Sequence, residues 1–360
     1  MRPEPAAPNA VVVGADGFIG QRLTSALSAM HVQVETYARG RRFSRGANLA
    51  RPVRGAGVIF YLASSITPAL GESHPEWAAA DHTRFAALLR GLARFDSPPT
   101  VVLTSSGGTV YDSSAPPPYT EDSPTRATSL YAAAKIALEA ELAERAGSVP
   151  GVILRLSNVY GPGQRAGKGQ GVLAAWLRSA AQRGMVQMIG DPEHTRDYVY
   201  VDDVTRCLCL LYEAIRRGRG IGDREPLILN VGSGRGTSLA ELIEIVRAVV
   251  GRDLLIARLP ARRHDRPHVW LDCGKADRLL GWRSRTGLAD GVLAMWHELA
   301  TGADAGSRAQ AVRPLVPAAA GNLRPDASGP APGPESGPSP LSQLTPGSIV
   351  PGHSIGARFI

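Results

Sequence analysis

Tyr131 and Lys135 stand four residues apart in the stretch SLYAAAKIALEAE, residues 129–141. Its alanines and leucines predict a helix that packs on these apolar residues while its carboxylates face water. Residues four apart are neighbours on a helix surface, so the phenol and the ammonium can project into one space. A cation held beside a phenol favours the phenolate, and a phenolate near neutral pH is a base suited to taking a proton from an alcohol. The plain structural alternative is a half-buried tyrosine with a lysine stem running beside it to solvent. The surroundings of the pair decide between the two.

The chain as a whole narrows the field. At 360 residues and 44% hydrophobic content it buries one large core or two domains. Its start, MRPEPAAPNA, has no apolar leader segment, and no stretch approaches the run of about eighteen apolar residues that a membrane span needs. A cytoplasmic protein without membrane contact is expected. Cys207, Cys209 and Cys273 lack paired CxxC spacing, so neither a disulfide framework nor a metal site is expected and buried thiols are the default. The formal charge of +8 raises nucleic acid as a partner, but the arginines are scattered, without aromatic interleaving or a recognisable binding module. Only ARGRRFSRGANLARPVR, residues 38–54, is dense in arginine. A solvated loop and an anion-binding segment both account for it, and an acidic small molecule fits at least as well as nucleic acid.

The elements that must position Tyr131 and Lys135 begin at NAVVVGADGFIGQRLTSALSAM. An apolar run, a glycine-rich turn and apolar residues at helical spacing read as strand, turn and helix. Gly14, Gly17 and Gly20 form GxxGxxG at the turn, where glycines let backbone approach a pyrophosphate and let helix and strand pack closely. The apolar runs VQVETY, GVIFYLA, TVVLTSS and GVILRL alternate with helical segments such as PEWAAADHTRFAALLRGLARF. Such alternation predicts an α/β Rossmann fold, a doubly wound parallel sheet covered by helices on both faces. Ligands of these sheets bind beyond the carboxyl ends of the strands, which places LTSSGGTVYD beside the nicotinamide. We divide the chain into a disordered start (1–8), the dinucleotide-binding domain (9–156), a smaller C-terminal substrate-binding domain with segments returning to the sheet (157–302), and a tail (303–360). The Pro, Gly and Ser density of that tail cannot repay ordering entropy, so disorder is expected.

GADGFIG, SSGGTVY, YAAAK, LRLSNVYGPGQ, RDYVYVDDV, NVGSG and RRHDRPHVWLDCGKADRLLGW occur in this order between Asn9 and Gly302. In these motifs the chain resembles the extended short-chain dehydrogenase/reductases, and among them the nucleotide-sugar 4-epimerases. The resemblance implies that Tyr131 is the catalytic base and that Lys135 lowers its pKa and holds the nicotinamide ribose. It implies dinucleotide contacts from Gly14, Gly17, Phe18, Ile19 and Gly20, from Arg39, and from Leu62 and Ala63 at the end of the run GVIFYLA. For a nucleotide-diphosphate sugar it points to Arg196 and Arg262 for the phosphates, Asp265 for the nucleotide ribose and Asn158 for the diphosphate or sugar. Tyr198, Asp202 and Asp203 are expected to brace the structure. A homodimer is expected.

Three departures from the family pattern stand out. The usual catalytic Ser or Thr falls on Gly107, which has no hydroxyl; Ser106 is the first candidate to replace it and Thr109 the second, each otherwise bonding only loop backbone. The related 4,6-dehydratases carry an Asp-Glu pair where this chain has Gly108 and Thr109, so dehydration is not expected. Finally, the second strand runs into Ala38 and Arg39, with Glu35 inside it as the only acid, and the short connection to GVIFYLA has no third strand with an adenine-binding Asp. An acid there suits NAD and an arginine suits the 2′-phosphate of NADP; the family resemblance keeps NAD ahead, with NADP open. The leading activity is UDP-sugar 4-epimerisation on glucose/galactose or the N-acetylated pair, through a 4-keto sugar. An NADPH-dependent 4-ketosugar reductase and a non-catalytic nucleotide-binding relative are the alternatives.

Overall fold

The computed structural model describes residues 9–46, 48–165, 171–182, 184–218, 222, 224–261 and 266–310, with 302–310 as helix backbone only. The expected disordered start 1–8, the part of the expected disordered tail (303–360) from 311 on, and the candidate residues Arg262 and Asp265 lie outside these residues.

Six runs rich in β-branched and aliphatic residues form one sheet: Ala10–Val13 (β1), Val34–Tyr37 (β2), Val58–Tyr61 (β3), Thr100–Ser106 (β4), Gly151–Leu156 (β5) and Leu227–Val231 (β6). The strand order is β6-β5-β4-β3-β1-β2 and every pairing is parallel. Alternate side chains leave on opposite faces, and both sets are mainly apolar. Helices Phe18–Ala29 (α1), Pro75–Leu92 (α2), Leu130–Ala143 (α3) and Val201–Arg216 (α4) cover the two faces. Val12, Phe60, Val102 and Leu154 pack with Leu23 and Leu27 of α1 and Leu208 and Leu211 of α4. Val11, Ile59, Leu103 and Ile153 pack with Phe85 and Leu89 of α2 and Leu138 and Leu142 of α3. This is the doubly wound sheet that the apolar runs predict.

A further core gathers Leu173, Trp176 and Leu177 of helix Val172–Ala181, Leu242 and Val246 of helix Leu239–Val250, and Val292 and Met295 of the last helix, Leu288–Gln310. That last helix continues past Gly302, where the sequence reading ended the folded part. Asp203 braces this region: its carboxylate accepts hydrogen bonds from Arg206 and from the backbone N–H groups of Arg285 and Thr286. Among the described residues no helix is long and apolar enough to cross a membrane.

Two sequence expectations need correction or completion. The carboxylates of α3 do not all face water, since Glu139 and Glu141 are buried. Each takes a partner from another element, Arg155 on β5 for Glu139 and His82 on α2 for Glu141, which local periodicity does not show; Glu141 also pairs with Arg145, four residues on. Between β2 and β3, where the sequence suggests no room for a third strand, the chain makes a short hairpin, Ser44–Arg45 against Asn48–Leu49, and a single turn at Arg51–Arg54.

Candidate active site

The glycine turn is built by contact. Gly14 has φ +90, and a Cβ added there would lie 2.8 Å from the Ala63 backbone nitrogen and 3.0 Å from the Leu62 carbonyl carbon. A Cβ on Gly20 would meet the Gly14 carbonyl oxygen at 2.1 Å, so only glycine lets α1 start this close to β1. Gly17 is the N-cap of α1 and contributes no side-chain cap, leaving the first-turn N–H groups directed at whatever anion the turn receives. Leu62, Ala63 and the turn glycines are thus brought together. Ile19 instead packs into the core beneath α1, and Phe18 lines a groove with Arg22, Pro162 and Asp202.

At the neighbouring strand ends, Ser129 caps α3 by accepting from the Ala132 N–H at 3.1 Å, and Glu72 accepts from the Leu130 N–H at 2.8 Å. Tyr131, half-buried, therefore opens the helix, with the backbone at Gly71 packed so closely on it that a Cβ there would lie 3.0 Å from the Tyr131 nitrogen. One turn on, Lys135 is 6% exposed, its Nζ 5.8 Å from the centre of the Tyr131 ring and donating to the Thr104 carbonyl of β4 at 3.3 Å. The pair does share a face, and the lysine is tethered to the sheet rather than running to solvent.

Gly107 has a steric reason to lack a hydroxyl. A Cβ there would meet Leu271 Cδ1 at 2.6 Å and the Arg155 carbonyl at 3.1 Å. Of the two replacements, Ser106 is half-buried at the carboxyl end of β4. The Thr109 hydroxyl is shut away from solvent with no hydrogen-bond partner among the described residues. A group that must touch substrate needs to be reachable, which supports Ser106.

The loop from Thr109 to Thr128 is held by Arg266, a residue the sequence reading passed over. Its guanidinium is buried and donates to the carbonyls of Tyr111 and, at 2.6 Å, Thr109, and to the Thr128 hydroxyl at 3.2 Å. Burial holds its pKa below the usual arginine value. The clue available in the sequence was its place in RRHDRP, one residue after Asp265. Beneath the same loop, the Tyr111 hydroxyl donates to Asn230 at 2.6 Å, and burial pushes that phenol up to about 12 against the opposing pull of Arg155.

The candidate sugar-nucleotide residues are partly committed to backbone. Exposed Asn158 donates from Nδ2 to the Asp197 carbonyl at 3.0 Å. Half-buried Arg196 donates from Nη1 to the Thr195 carbonyl at 2.8 Å and to that of Pro267 at 3.4 Å. Between them Asp197 is 1% exposed and accepts from the N–H groups of Ser233 and Leu271 and from the Ser233 hydroxyl. At the adenosine end, exposed Arg39 donates its backbone N–H to Asp16 at 3.4 Å, and Glu35 is occupied by Arg41 at 2.5 Å.

A doubly wound parallel sheet, a glycine turn with no room for Cβ, an open helix N-terminus and a lysine moored at the strand ends fit a nicotinamide dinucleotide. They define an extended short-chain dehydrogenase/reductase. The profile of the NAD dependent epimerase/dehydratase family matches residues 10–232, and the chain belongs to that family. It is 32% identical over 237 residues to UDP-glucose 4-epimerase of Mycolicibacterium smegmatis, covering 65% of this chain and 73% of that one. It is also 32% identical over 196 residues to dTDP-4-dehydro-6-deoxyglucose reductase of Escherichia coli, covering 53% of this chain and 58% of the reductase. The crystal structure of UDP-glucose 4-epimerase with UDP-glucose from Thermotoga maritima superposes with a TM-score of 0.71 at 26% identity, covering 82% of this chain and 99% of that one.

Proposed function

We propose that the protein is a nucleotide-sugar 4-epimerase acting on UDP-glucose and UDP-galactose or on their N-acetylated counterparts. The observation that carries this reading is the joint placement of Tyr131 and Lys135 on one face of α3, with the lysine nitrogen 5.8 Å from the tyrosine ring and tied to Thr104 on β4. When bound, NAD supplies the hydride acceptor and donor for the sugar's C4. Tyr131 removes the proton of the 4-hydroxyl and, after the 4-keto sugar has turned over to present its other face, gives it back to the same oxygen. The Ser106 hydroxyl donates to that oxygen as its charge changes. Lys135 uses one N–H on Thr104 and has two more donors for the ribose and the phenol oxygen. Arg196, Arg262, Asn158 and Asp265 hold the nucleotide diphosphate, arginine being suited to phosphate oxygens by its planar fork.

The loop Ser106–Val110 carries no carboxylate, which speaks against loss of water, a reaction that needs groups to move protons at neighbouring carbons. A 4-ketosugar reductase is the second reading, supported by Arg39 in place of an acid after β2 and by the similarity to the E. coli reductase. The test is to incubate purified protein with UDP-galactose and UDP-N-acetylgalactosamine, without added cofactor, and to follow the C4 epimer. Many turnovers on the cofactor carried through purification are expected. No epimer, together with stoichiometric oxidation of NADPH by a nucleotide 4-ketosugar, would replace this reading with the reductase.

A further inference from the structure

Tyr131, Lys135 and Glu139 recur every four residues along α3 and so form one stripe. On an isolated helix, a glutamate one turn beyond a lysine attracts it. Here the two side chains part. Glu139 accepts from Arg155 Nη2 at 2.7 Å and from Nε at 3.2 Å to each carboxylate oxygen, while Lys135 goes to Thr104. Neither partner of the Glu139–Arg155 pair is more than 9% exposed at the side chain.

Arg155 is itself fixed from several sides. It lies on β5 opposite Ser105 of β4. Its guanidinium sits 4.9 Å from the centre of the Tyr111 ring and donates from Nη1 to the Glu121 carbonyl at 3.3 Å. Burial opposes its charge, but the bonds to Glu139 prevail and hold it above the usual arginine value. A planar guanidinium matches a carboxylate through two parallel bonds, which a lysine ammonium cannot do, so Arg155 wins the contest for Glu139.

We propose that Arg155 is a positioning residue that keeps Glu139 from drawing Lys135 down the helix, so that the ammonium stays directed at Tyr131 and the cofactor ribose. The proposal rests on the functional reading of Tyr131 and Lys135 given above. A simple structural pair also recovers stability when both partners are removed; the positioning role differs in that the loss on removing Arg155 alone, and its recovery on removing both, are read in kcat and NAD affinity of a protein that stays folded.

The experiment compares wild type, Arg155→Met, Glu139→Gln and the double variant, reading kcat and KM for the sugar nucleotide and, separately, NAD affinity by calorimetry. Arg155→Met is expected to lower kcat on the order of 10²-fold with sugar KM nearly unchanged, and to weaken NAD about tenfold. The double variant leaves no stranded charge, and both quantities should return to within about fivefold of wild type. Should Arg155→Met not fold, Arg155→Lys takes its place, since it keeps the charge but loses the fork; a smaller loss with the same rescue by Glu139→Gln is then expected. A double variant as impaired as the single one in both readouts, or an Arg155→Met protein with wild-type kcat and NAD affinity, would overturn the proposal. If wild type turns over no sugar nucleotide yet the NAD pattern appears, the functional reading falls and the role of Arg155 toward Lys135 stands.

Discussion

The two ends of the dinucleotide cleft are built on different principles. At the pyrophosphate and nicotinamide end, backbone touches backbone: the space for a Cβ on Gly14 or Gly20 is already filled, and Lys135 is tied to a strand carbonyl. At the adenosine end, β2 gives way to the exposed residues Ala38, Arg39 and Gly40, followed by a two-residue hairpin and one helical turn. Geometry fixes the first end, whereas the second presents mainly surface charge. Substitutions should accordingly be punished at one end and tolerated at the other.

The largest effect is expected at Tyr131. Tyr131→Phe should keep the fold and the bound NAD but lose up to about 10⁴ in kcat, the upper end of what a positioned acid–base group contributes; wild-type turnover in a stopped-time epimer assay would remove the phenol from the chemistry. Ser106→Ala follows, with a loss of about 10²–10³ in kcat, the worth of one donor at a reacting oxygen. Thr109→Val is its control. The Thr109 hydroxyl is buried without a partner among the described residues, so its removal should leave turnover and melting temperature unchanged or slightly raise the latter. If Thr109→Val is crippled and Ser106→Ala is normal, the two roles exchange.

Gly14→Ala probes the tight end directly. Its left-handed φ of +90 and the 2.8 Å approach to Ala63 predict at least about tenfold weaker NAD binding and a lower melting temperature, since strain of this kind costs on the order of 1–3 kcal/mol. Arg39→Ala, at the loose end, should change NAD affinity by less than about fivefold, as exposed charges contribute roughly 0–1 kcal/mol. Calorimetric titration of both variants with NAD and NADP reads the contrast. A tenfold loss of NAD at Arg39 would mean that the adenosine end is specifically built after all, and a loss confined to NADP would give Arg39 to the 2′-phosphate.

How much of this was legible before the structure follows from how far apart the interacting residues lie in the chain. TVVLTSS and GVILRL coincide with β4 and β5 because both strand faces are buried and each run is mainly apolar. The short reach from β2 to β3 already implied a missing strand. The spacing of Tyr131 and Lys135 revealed a shared face because one helical turn brings the two together. Glu139 broke the same periodic rule: its partner Arg155 is sixteen residues away on another element, and no local pattern announces a buried ion pair. Arg266 and Asn158 were likewise opaque in detail, since their partners are backbone carbonyls, which every residue carries. The strands Thr195–Arg196, Thr237–Ser238 and His268–Val269 are two residues long, too short for a period of two to show.

The abbreviated connection after β2 also leaves that strand as the outer margin of the sheet. An open margin invites another extended chain to add itself through main-chain pairing, and long, flat, apolar margins aggregate. This one is four residues long, and Arg41 turns back along it, donating to the Thr36 carbonyl at 2.6 Å and to Glu35 while its guanidinium lies over the Tyr37 ring. The arginine-dense segment thus sets a charged side chain along this margin. Arg41→Ala should leave catalysis alone and show itself as concentration-dependent light scattering, most clearly at high salt, where the remaining like charges no longer keep molecules apart.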